Sequence, residues 1–300
     1  MTMREQFLVQ ECEDGLIDEI YRAKENLKDF LSLELEVGQY LTLQSETNVN
    51  KKAVLLSVGG EIKLMKNHSH RKGVNPKDLN QNLMQQLLED EDVKILVCTG
   101  QAGSGKTYLS LAWATDLVLK RKDLKLVMTK PLYMTGKSRA IGTLPGNMEE
   151  KMQPFLDSFG MALNKLLPSK EYLLSCFEKE LFEYRAIEML RGCSFENTIF
   201  VVDEVQNLDY NELKTLISRM GEGCKLILLG DPTQIDRDHT FAQSGLGQLL
   251  ETQTFKGSPL CGQIHLTKCF RGPIAEFMNG VDLEITRARQ PLDFYSHLVK

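Results

Sequence analysis

The spacing of apolar positions changes near residue 75 and divides the chain into two unequal parts. Residues 13–33 repeat apolar side chains at helical spacing between charged ones, as an amphipathic surface helix does. Two strand candidates follow, at residues 38–44 and 53–65. We therefore predict that residues 1–75 form a small extension made of one helix and short strands.

Beyond residue 76 the pattern alternates between helical segments and short, nearly continuous apolar runs. Such runs are typical of parallel strands buried on both faces, and their alternation with helices predicts a parallel sheet covered by helices. Residues 147–191 are mostly helical in pattern. Residues 76–300 are therefore predicted to form one doubly wound α/β domain, with strands at residues 94–99, 124–129, 198–203 and 224–230 and a weaker fifth at 263–267.

Composition and charge narrow the classes of function. Hydrophobic residues make up 42% of the chain, which is enough for a buried core. Because the formal net charge is -5, a nucleic acid would have to bind a local basic patch. No apolar run approaches the ~20 residues that span a bilayer, and the N-terminus lacks the order of a secretory signal. We expect a soluble, cytoplasmic protein with no membrane partner.

Cysteine and histidine usage argues against two kinds of stabilising site. The cysteines number 7, an odd count, and form no C-x-x-C pair, which disfavours both a disulfide framework and a zinc site. His68 and His70 are the only close histidine pair, and no third ligand lies near them in the sequence.

A glycine-rich motif follows the first apolar run and opens a helical segment. Its glycines would let backbone N–H groups surround phosphate oxygens, Lys106 would add a charge, and the Thr107 hydroxyl would reach Mg²⁺. A glycine-rich turn with an incidental lysine is the alternative, and the preceding strand and following helix disfavour it. The candidate nucleotide-binding residues are Gly100, Gln101, Ala102, Gly103, Ser104, Gly105, Lys106, Thr107 and Tyr108.

Two later apolar runs also end in polar residues. Asp203 and Glu204 follow residues 198–202, so Asp203 would hold Mg²⁺ and Glu204 would polarise the attacking water. Gln234 lies just after the run that ends at Gly230, where it could contact the γ-phosphate, although residues 231–234 also suit an ordinary turn. Because parallel strand ends meet at one edge of a sheet, we favour the γ-phosphate sensor.

Eight segments, in order, resemble those of the PhoH-like ATPases, relatives of superfamily 1 helicases, over about residues 73–280: GVNPKDLNQ, GQAGSGKTYLSLA, GTLPGNMEEKMQPF, IEMLRG, FVVDEVQNL, RMGEG, GDPTQID and LTKCFRGPIAE. The resemblance implies a RecA-like P-loop fold and hydrolysis of ATP with Mg²⁺. It implies that Gln81 contacts adenine, that Lys106, Thr107 and Asp203 bind Mg-ATP, that Glu204 activates water, that Gln234 senses the γ-phosphate, and that Arg271 is an arginine finger.

Several positions depart from this resemblance. Longer PhoH-like proteins carry a PIN nuclease domain in front, and residues 1–75 are too few for one, so no nuclease activity is expected. Cys193 stands where the family usually has the second arginine of R-G-R-[ST], which puts any role of that arginine in doubt. Val205 replaces the usual Ala, and Gly272 follows Arg271 where many relatives have His or Ser.

A basic run at residues 120–139 is the candidate contact for RNA or single-stranded DNA. It could bind a phosphate backbone, with Tyr133 and Met134 beside a base, or it could be a solvated helix end. Its positive residues are Lys120, Arg121, Lys122, Lys125, Lys130, Lys137 and Arg139, against Asp123 alone.

The competing functions differ in what they require. A GTPase needs an N-K-x-D guanine reader, which is absent from this sequence. The segment Ser244–Gln248 superficially matches a transporter ATPase signature, but it follows Asp203 and Glu204 and is interpreted as a helix start. We predict an ATP hydrolase that couples turnover to RNA or single-stranded DNA in a helicase-like way, and the alternative is an ATP-dependent assembly or regulatory switch.

Domain count suggests an oligomer. The ~225 residues after the extension suffice for one RecA-like unit at ~150 residues per domain, so no second unit is present to donate an arginine. If Arg271 points away from its own P-loop, a neighbouring subunit must present it in trans. We therefore predict a homo-oligomeric ring, hexameric by the resemblance.

Overall fold

A computed structural model of the chain describes residues 7–23, 26–31, 33–66, 74–131, 158–190, 192–236 and 239–281, except residues 275, 276, 278 and 279. Three predicted features fall wholly or partly outside these residues: the histidine pair at 68 and 70, the second half of the basic run at 132–139, and the GTLPGNMEEKMQPF segment at 142–155.

The N-terminal part forms a four-stranded sheet in the order β1-β2-β3-β4. Strands β1 and β2 are parallel, and the other two pairings are antiparallel. Its elements are β1 (Phe7–Cys12), α1 (Asp14–Ala23), a 3-10 turn (Leu27–Phe30), β2 (Tyr40–Ser45), β3 (Lys52–Val58) and β4 (Glu61–Met65).

Three details of this part differ from the sequence prediction. Helix α1 ends at Ala23 instead of continuing to residue 33, and Asn26 adopts a left-handed φ of 54° that no helix allows. The segment 53–65 is not one strand but a hairpin, because Gly59 and Gly60, at φ 55° and 79°, reverse the chain. Strand β1 was not predicted, since its side chains are mostly exposed and show no clear alternation.

The rest of the chain forms a six-stranded sheet in the order β10-β5-β9-β8-β6-β7, with every pairing parallel. Its elements are α2 (Leu79–Glu89), β5 (Ile95–Gly100), α3 (Lys106–Lys120), β6 (Lys125–Thr129), α4 (residues 158–166), α5 (Lys170–Glu178), β7 (Phe182–Tyr184), β8 (Thr198–Val202), α6 (Tyr210–Ile217), β9 (Lys225–Gly230), α7 (Gly245–Glu251), α8 (Gln253–Lys256) and β10 (Cys261–Leu266), with 3-10 turns at Ile187–Leu190, Val205–Asn207 and Phe241–Gln243.

The predicted RecA-like P-loop fold is confirmed. All five predicted strands exist, and the strand before the glycine-rich loop lies inside the sheet between β10 and β9. Helices α4 and α5 confirm part of the helical segment at 147–191, but residues 182–184 form the edge strand β7 instead. The helix start predicted at Ser244 is also confirmed, because its side chain caps α7 by accepting from the Gly247 N–H at 3.0 Å.

Hydrophobic packing joins the two parts of the chain. One core layer contains Tyr40, Val54 and Leu56 of the N-terminal sheet together with α2, α3 and one face of the central sheet. A second layer packs the other face of the central sheet against α6 and α7. A third lies between the N-terminal sheet and α1. The predicted division at residue 75 stays a prediction, and one core layer draws on residues from both sides of it.

Across the described ranges, no helix has the length and apolar composition that crossing a membrane requires. All seven cysteines carry free thiols.

Candidate functional site

The glycine-rich loop connects the end of β5 to the start of α3, as its motif predicts. Gly100, Gly103 and Gly105 have φ angles of 149°, 82° and 98°, a region that side chains with a Cβ rarely adopt. A Cβ on Gly100 would also lie 2.4 Å from the carbonyl oxygen of Leu266. The loop conformation therefore depends on glycine at these positions.

Lys106 begins α3 and turns its side chain back into the loop. Its Nζ donates to the carbonyl oxygens of Gly100 at 2.5 Å and Gln101 at 3.1 Å. The side chain is buried, so its charge is held where the loop curves. Phosphate oxygens are stronger acceptors of charge-assisted hydrogen bonds than neutral carbonyls, so a phosphate in this curve would attract the same ammonium.

Thr107 and Asp203 meet at the adjoining strand end. The Thr107 hydroxyl donates to Asp203 Oδ2 at 2.8 Å, and Asp203 Oδ1 accepts from the Glu204 N–H at 3.0 Å. The Asp203 N–H donates to the Thr129 carbonyl oxygen at 2.9 Å, which holds the end of β8 to the end of β6. A hydroxyl and a carboxylate are hard oxygen donors, and this pair fits Mg²⁺.

Further polar atoms face the same edge of the sheet. Three buried side-chain oxygens there have no hydrogen-bond partner within the described part of the chain: Ser104 Oγ, Thr129 Oγ1 and Asp231 Oδ2. Buried oxygens without partners are costly, so their concentration here suits a polar ligand or bound water.

Glu204 adopts a left-handed φ of 55°, which is unfavourable for a residue other than glycine. This conformation leads from β8 into the 3-10 turn Val205–Asn207. Burial raises the pKa of Glu204 and the negative charge of Asp203 raises it further, while a hydrogen bond from Gln206 opposes the rise. A carboxyl with a raised pKa is better suited to accept a proton from water.

Gln206 links this carboxylate to the next strand end, and sequence reasoning assigned it no role. Its Nε2 donates to Glu204 Oε2 and to the Gln234 carbonyl oxygen, both at 2.7 Å. Its Oε1 accepts from the Asp231 N–H at 3.0 Å. Asn207 likewise exchanges two hydrogen bonds with Asp236. Two amide side chains within three residues after Glu204 were the available signal, since buried amides need partners.

The segment after β9 forms the turn that was the alternative interpretation of it, and the sensor role of Gln234 stays a prediction. Asp231 Oδ1 accepts from both the N–H and the hydroxyl of Thr233, at 3.0 Å and 2.7 Å, so residues 231–234 do form a turn. The Gln234 side chain is exposed. The Gln206 side chain donates hydrogen bonds to both the Gln234 carbonyl oxygen and the Glu204 carboxylate, so it links this turn to Glu204.

Gln81 lies in the first turn of α2, which Asp78 caps by accepting from the Gln81 N–H at 2.9 Å. Its Nε2 donates to the Ser104 carbonyl oxygen at 2.8 Å, and its Oε1 accepts from the Lys77 N–H at 2.8 Å. Gln81 is therefore placed against the P-loop with its amide bound to the protein, and its predicted contact with adenine stays a prediction. Tyr108 lies half-buried in the first turn of α3.

Arg271 lies beside the P-loop of its own chain. A Cβ on Gly103 would lie 2.7 Å from Arg271 Cγ, and the Phe270 N–H donates to the Gly103 carbonyl oxygen at 2.9 Å. The aliphatic part of the Arg271 side chain therefore contacts its own P-loop. The finger predicted to act in trans stays a prediction. Lys77 Nζ lies 5.1 Å from the centre of the Phe270 ring.

Comparison with known proteins decides the family. The sequence model of the family described as PhoH-like protein matches residues 73–279. The chain belongs to the PhoH-like family. It is 34% identical over 252 residues to Protein PhoH2 of Bacillus subtilis, covering 80% of this chain and 55% of that protein. It is 31% identical over 232 residues to Protein PhoH2 of Mycolicibacterium smegmatis, covering 77% and 52%.

The PhoH-like chain thus spans about half the length of the curated relatives that it matches. Among solved structures it is similar to the crystal structure of Pif1 helicase from Candida albicans, with 16% identity, a TM-score of 0.37, and coverage of 74% of this chain and 46% of that one.

The basic run of this PhoH-like chain is not one surface. Its first part ends α3 and begins β6, at the amino edge of the sheet, whereas Lys130 follows β6 at the carboxyl edge with the P-loop. Three of the early residues pair with acids: Lys120 with Asp116 at 2.7 Å, Arg121 with Asp123 at 2.7 Å, and Lys125 with Glu180 at 3.4 Å. Residues 120–125 therefore match the solvated helix end, while Tyr133, Met134, Lys137 and Arg139 lie outside the described residues.

Gln206 yields a prediction that needs no nucleotide. Gln206→Leu removes the acceptor of the Asp231 N–H and the donor to Gln234, so residues 231–236 should exchange their amide hydrogens about tenfold faster. Hydrogen exchange read by mass spectrometry measures this, with Gln253→Leu on the exposed start of α8 as the control. Equal exchange in the two variants would show that Gln206 does not hold this loop.

Proposed function

We propose that this chain is a Mg²⁺-dependent ATP hydrolase that couples turnover to the binding or remodelling of RNA or single-stranded DNA. The observation that carries the proposal is the hydrogen bond from Thr107 to Asp203 at 2.8 Å, since it brings the P-loop and the two carboxylates to one strand edge. Family membership adds to it.

The phosphates would bind where Lys106 now lies. The ammonium would exchange two neutral carbonyl acceptors for phosphate oxygens, and the N–H groups at the start of α3 would point toward the same charge. Thr107 and Asp203 would hold Mg²⁺, which would neutralise charge on the β- and γ-phosphates.

Hydrolysis requires a group that takes a proton from the attacking water. Glu204 is suited to this because Gln206 holds one carboxylate oxygen, Oε2, and the other can accept the proton. As the water oxygen bonds to the γ-phosphorus, the bond to the β–γ bridging oxygen breaks, which gives ADP and inorganic phosphate. Gln234 is joined to Glu204 through Gln206, so loss of the γ-phosphate would be sensed by this turn.

The base would lie near the start of α2. Gln81 uses one N–H on Ser104 and one Oε1 lone pair on Lys77, and its second N–H and lone pair would match the ring nitrogen and amine on one edge of adenine. The Phe270 ring lies beside the P-loop with Lys77 over it, and its flat face offers a surface for stacking. Phe270 was not among the residues predicted from the sequence.

Arg271 would stabilise phosphate charge within its own chain. Its side chain already lies against Gly103, a short distance along the loop from Lys106. The homo-oligomeric ring with a finger acting in trans stays the alternative prediction.

Nucleic-acid coupling is supported by Lys130 at the carboxyl edge and by the helicase-like family. The pairing of Lys120, Arg121 and Lys125 with acids instead favours the alternative, an ATP-dependent switch without strand separation.

The first test separates the two carboxylates. Glu204→Gln should bind Mg-ATP but hydrolyse it at least ~10²-fold more slowly, because an amide cannot accept the proton, whereas Asp203→Asn should weaken Mg²⁺-dependent binding. Lys106→Ala should abolish turnover and weaken nucleotide binding.

The raised pKa of Glu204 also predicts a pH dependence. As the pH falls, the proposed base becomes protonated, so wild-type turnover should begin to decline at a pH above the titration range of an ordinary glutamate. Steady-state phosphate release and nucleotide titration measure these effects, and equal loss of affinity in Glu204→Gln and Asp203→Asn would contradict the assigned roles.

The second test asks which chain uses Arg271. Arg271→Ala and Lys106→Ala chains, each inactive alone, are mixed under conditions that exchange subunits. Action in cis predicts no recovery of ATP turnover, because every intact P-loop then lacks its own arginine. Recovery of activity in the mixture would show instead that Arg271 acts in trans.

The third test separates the two candidate functions. A nucleic-acid motor should hydrolyse ATP several-fold faster with single-stranded RNA or DNA, and the stimulation should decline as salt is raised. Phosphate release is measured over a salt series, with Glu204→Gln as the background control. Turnover that no RNA or DNA changes at low salt would favour the switch.

A further inference from the structure

Tyr40 connects the N-terminal sheet to the helix that carries Gln81. It lies in β2 with 5% of its surface exposed, and its hydroxyl donates to Asn80 Oδ1 at 2.7 Å. Burial, with a smaller effect of Asp78, raises the pKa of Tyr40 to about 12, so the hydroxyl keeps its proton at neutral pH. The bond therefore ties the sheet to the first turn of α2, one residue before Gln81.

Asn80 extends this connection to the segment after β10. Its Nδ2 donates to Thr267 Oγ1 at 3.1 Å. Three residues later, the Phe270 N–H binds the P-loop carbonyl of Gly103 at 2.9 Å. A single buried amide thus joins three segments that are distant in sequence: the N-terminal sheet, the start of α2, and residues 267–271.

Close packing supports the same connection along β10. A Cβ on Gly59 would lie 2.1 Å from the Ser258 carbonyl oxygen, and one on Gly38 would lie 3.1 Å from that of Gln263. Because β10 is an edge strand of the central sheet, its free side would otherwise have no neighbouring element. The N-terminal part of the chain therefore contacts the residues before β10, β10 itself and, through Asn80, the residues after β10.

We propose that the hydrogen bonds Tyr40–Asn80–Thr267 make the N-terminal sheet a positioning element of the nucleotide site. Tyr40 is a positioning residue: it holds Gln81 and the segment 267–271 against the P-loop before nucleotide binds. This inference rests on the proposed ATPase function for its effect on nucleotide binding, but the positioning itself concerns the protein without ligand. Ordering these segments in advance lowers the entropy cost of binding.

The test compares two tyrosines of the N-terminal part, Tyr40 in β2 and Tyr21 in α1. Tyr40→Phe removes the donor to Asn80, and Tyr21→Phe is the matched control, since the Tyr21 hydroxyl donates to the Lys52 carbonyl oxygen at 2.9 Å and not to α2. Hydrogen exchange at residues 100–107 and 267–271 is measured without nucleotide, and the Kd of a fluorescent ATP analogue is measured with Mg²⁺. Tyr40→Phe should speed exchange in both segments and raise Kd about three- to tenfold, whereas Tyr21→Phe should match the wild type.

A second variant tests the other end of the connection. Thr267→Val removes the acceptor of Asn80 Nδ2 at an exposed position and should reproduce the effect of Tyr40→Phe. Because both act through Asn80, the double variant should change Kd by less than the product of the single changes.

Two outcomes would overturn the inference. One is a lower melting temperature in Tyr40→Phe with exchange at 100–107 and 267–271 unchanged, which would make the bond structural only. The other is full additivity of the two variants. If the wild type fails to bind or hydrolyse ATP, the proposed function fails instead, and the exchange experiment still tests the positioning.

Discussion

Parallel pairing of β5, β9, β8 and β6 is the constraint on which the site depends. The pairing brings the carboxyl ends of these strands to one edge, so that Thr107, Asp203 and the turn after β9 lie together although more than a hundred residues separate the first from the last. A shift of one residue in any pairing would turn the side chains of that strand to the opposite face. Burial of both faces prevents such a shift, because each strand would then expose a large apolar surface.

The cost of gathering charge at this edge is offset by amide side chains. Asp203 and Glu204 are adjacent carboxylates, and their repulsion with burial raises the pKa of Glu204. Gln206 donates a hydrogen bond to Glu204. It also donates to the Gln234 carbonyl oxygen and accepts from the Asp231 N–H, both in the backbone of the turn at 231–234. The same side chain therefore stabilises the proposed base and fixes the proposed sensor, which gives the two a shared geometry.

The N-terminal sheet belongs to the same physical system. It contributes to the largest core layer and covers the edge strand β10, which precedes the segment carrying Phe270 and Arg271. An unprotected edge strand invites pairing with other chains, so covering it also has a value for solubility. These contacts make the N-terminal part of the chain a component of the structure that surrounds the nucleotide site.

The amino-acid sequence alone determined the features that depend on local chemistry. Glycines at positions 100, 103 and 105 allow the positive φ angles of this loop, the apolar runs become buried strands, and Asp203 with Glu204 follows such a run wherever the strand is placed. Tertiary structure alone decided the contact of Arg271 with Gly103, the contacts of Gln206 and the separation of residues 120–125 from Lys130. It also brought Asn80 to Thr267, a contact across 187 positions. These outcomes depend on how distant segments pack and on which edge of the sheet each residue reaches, and no periodicity in the sequence encodes either.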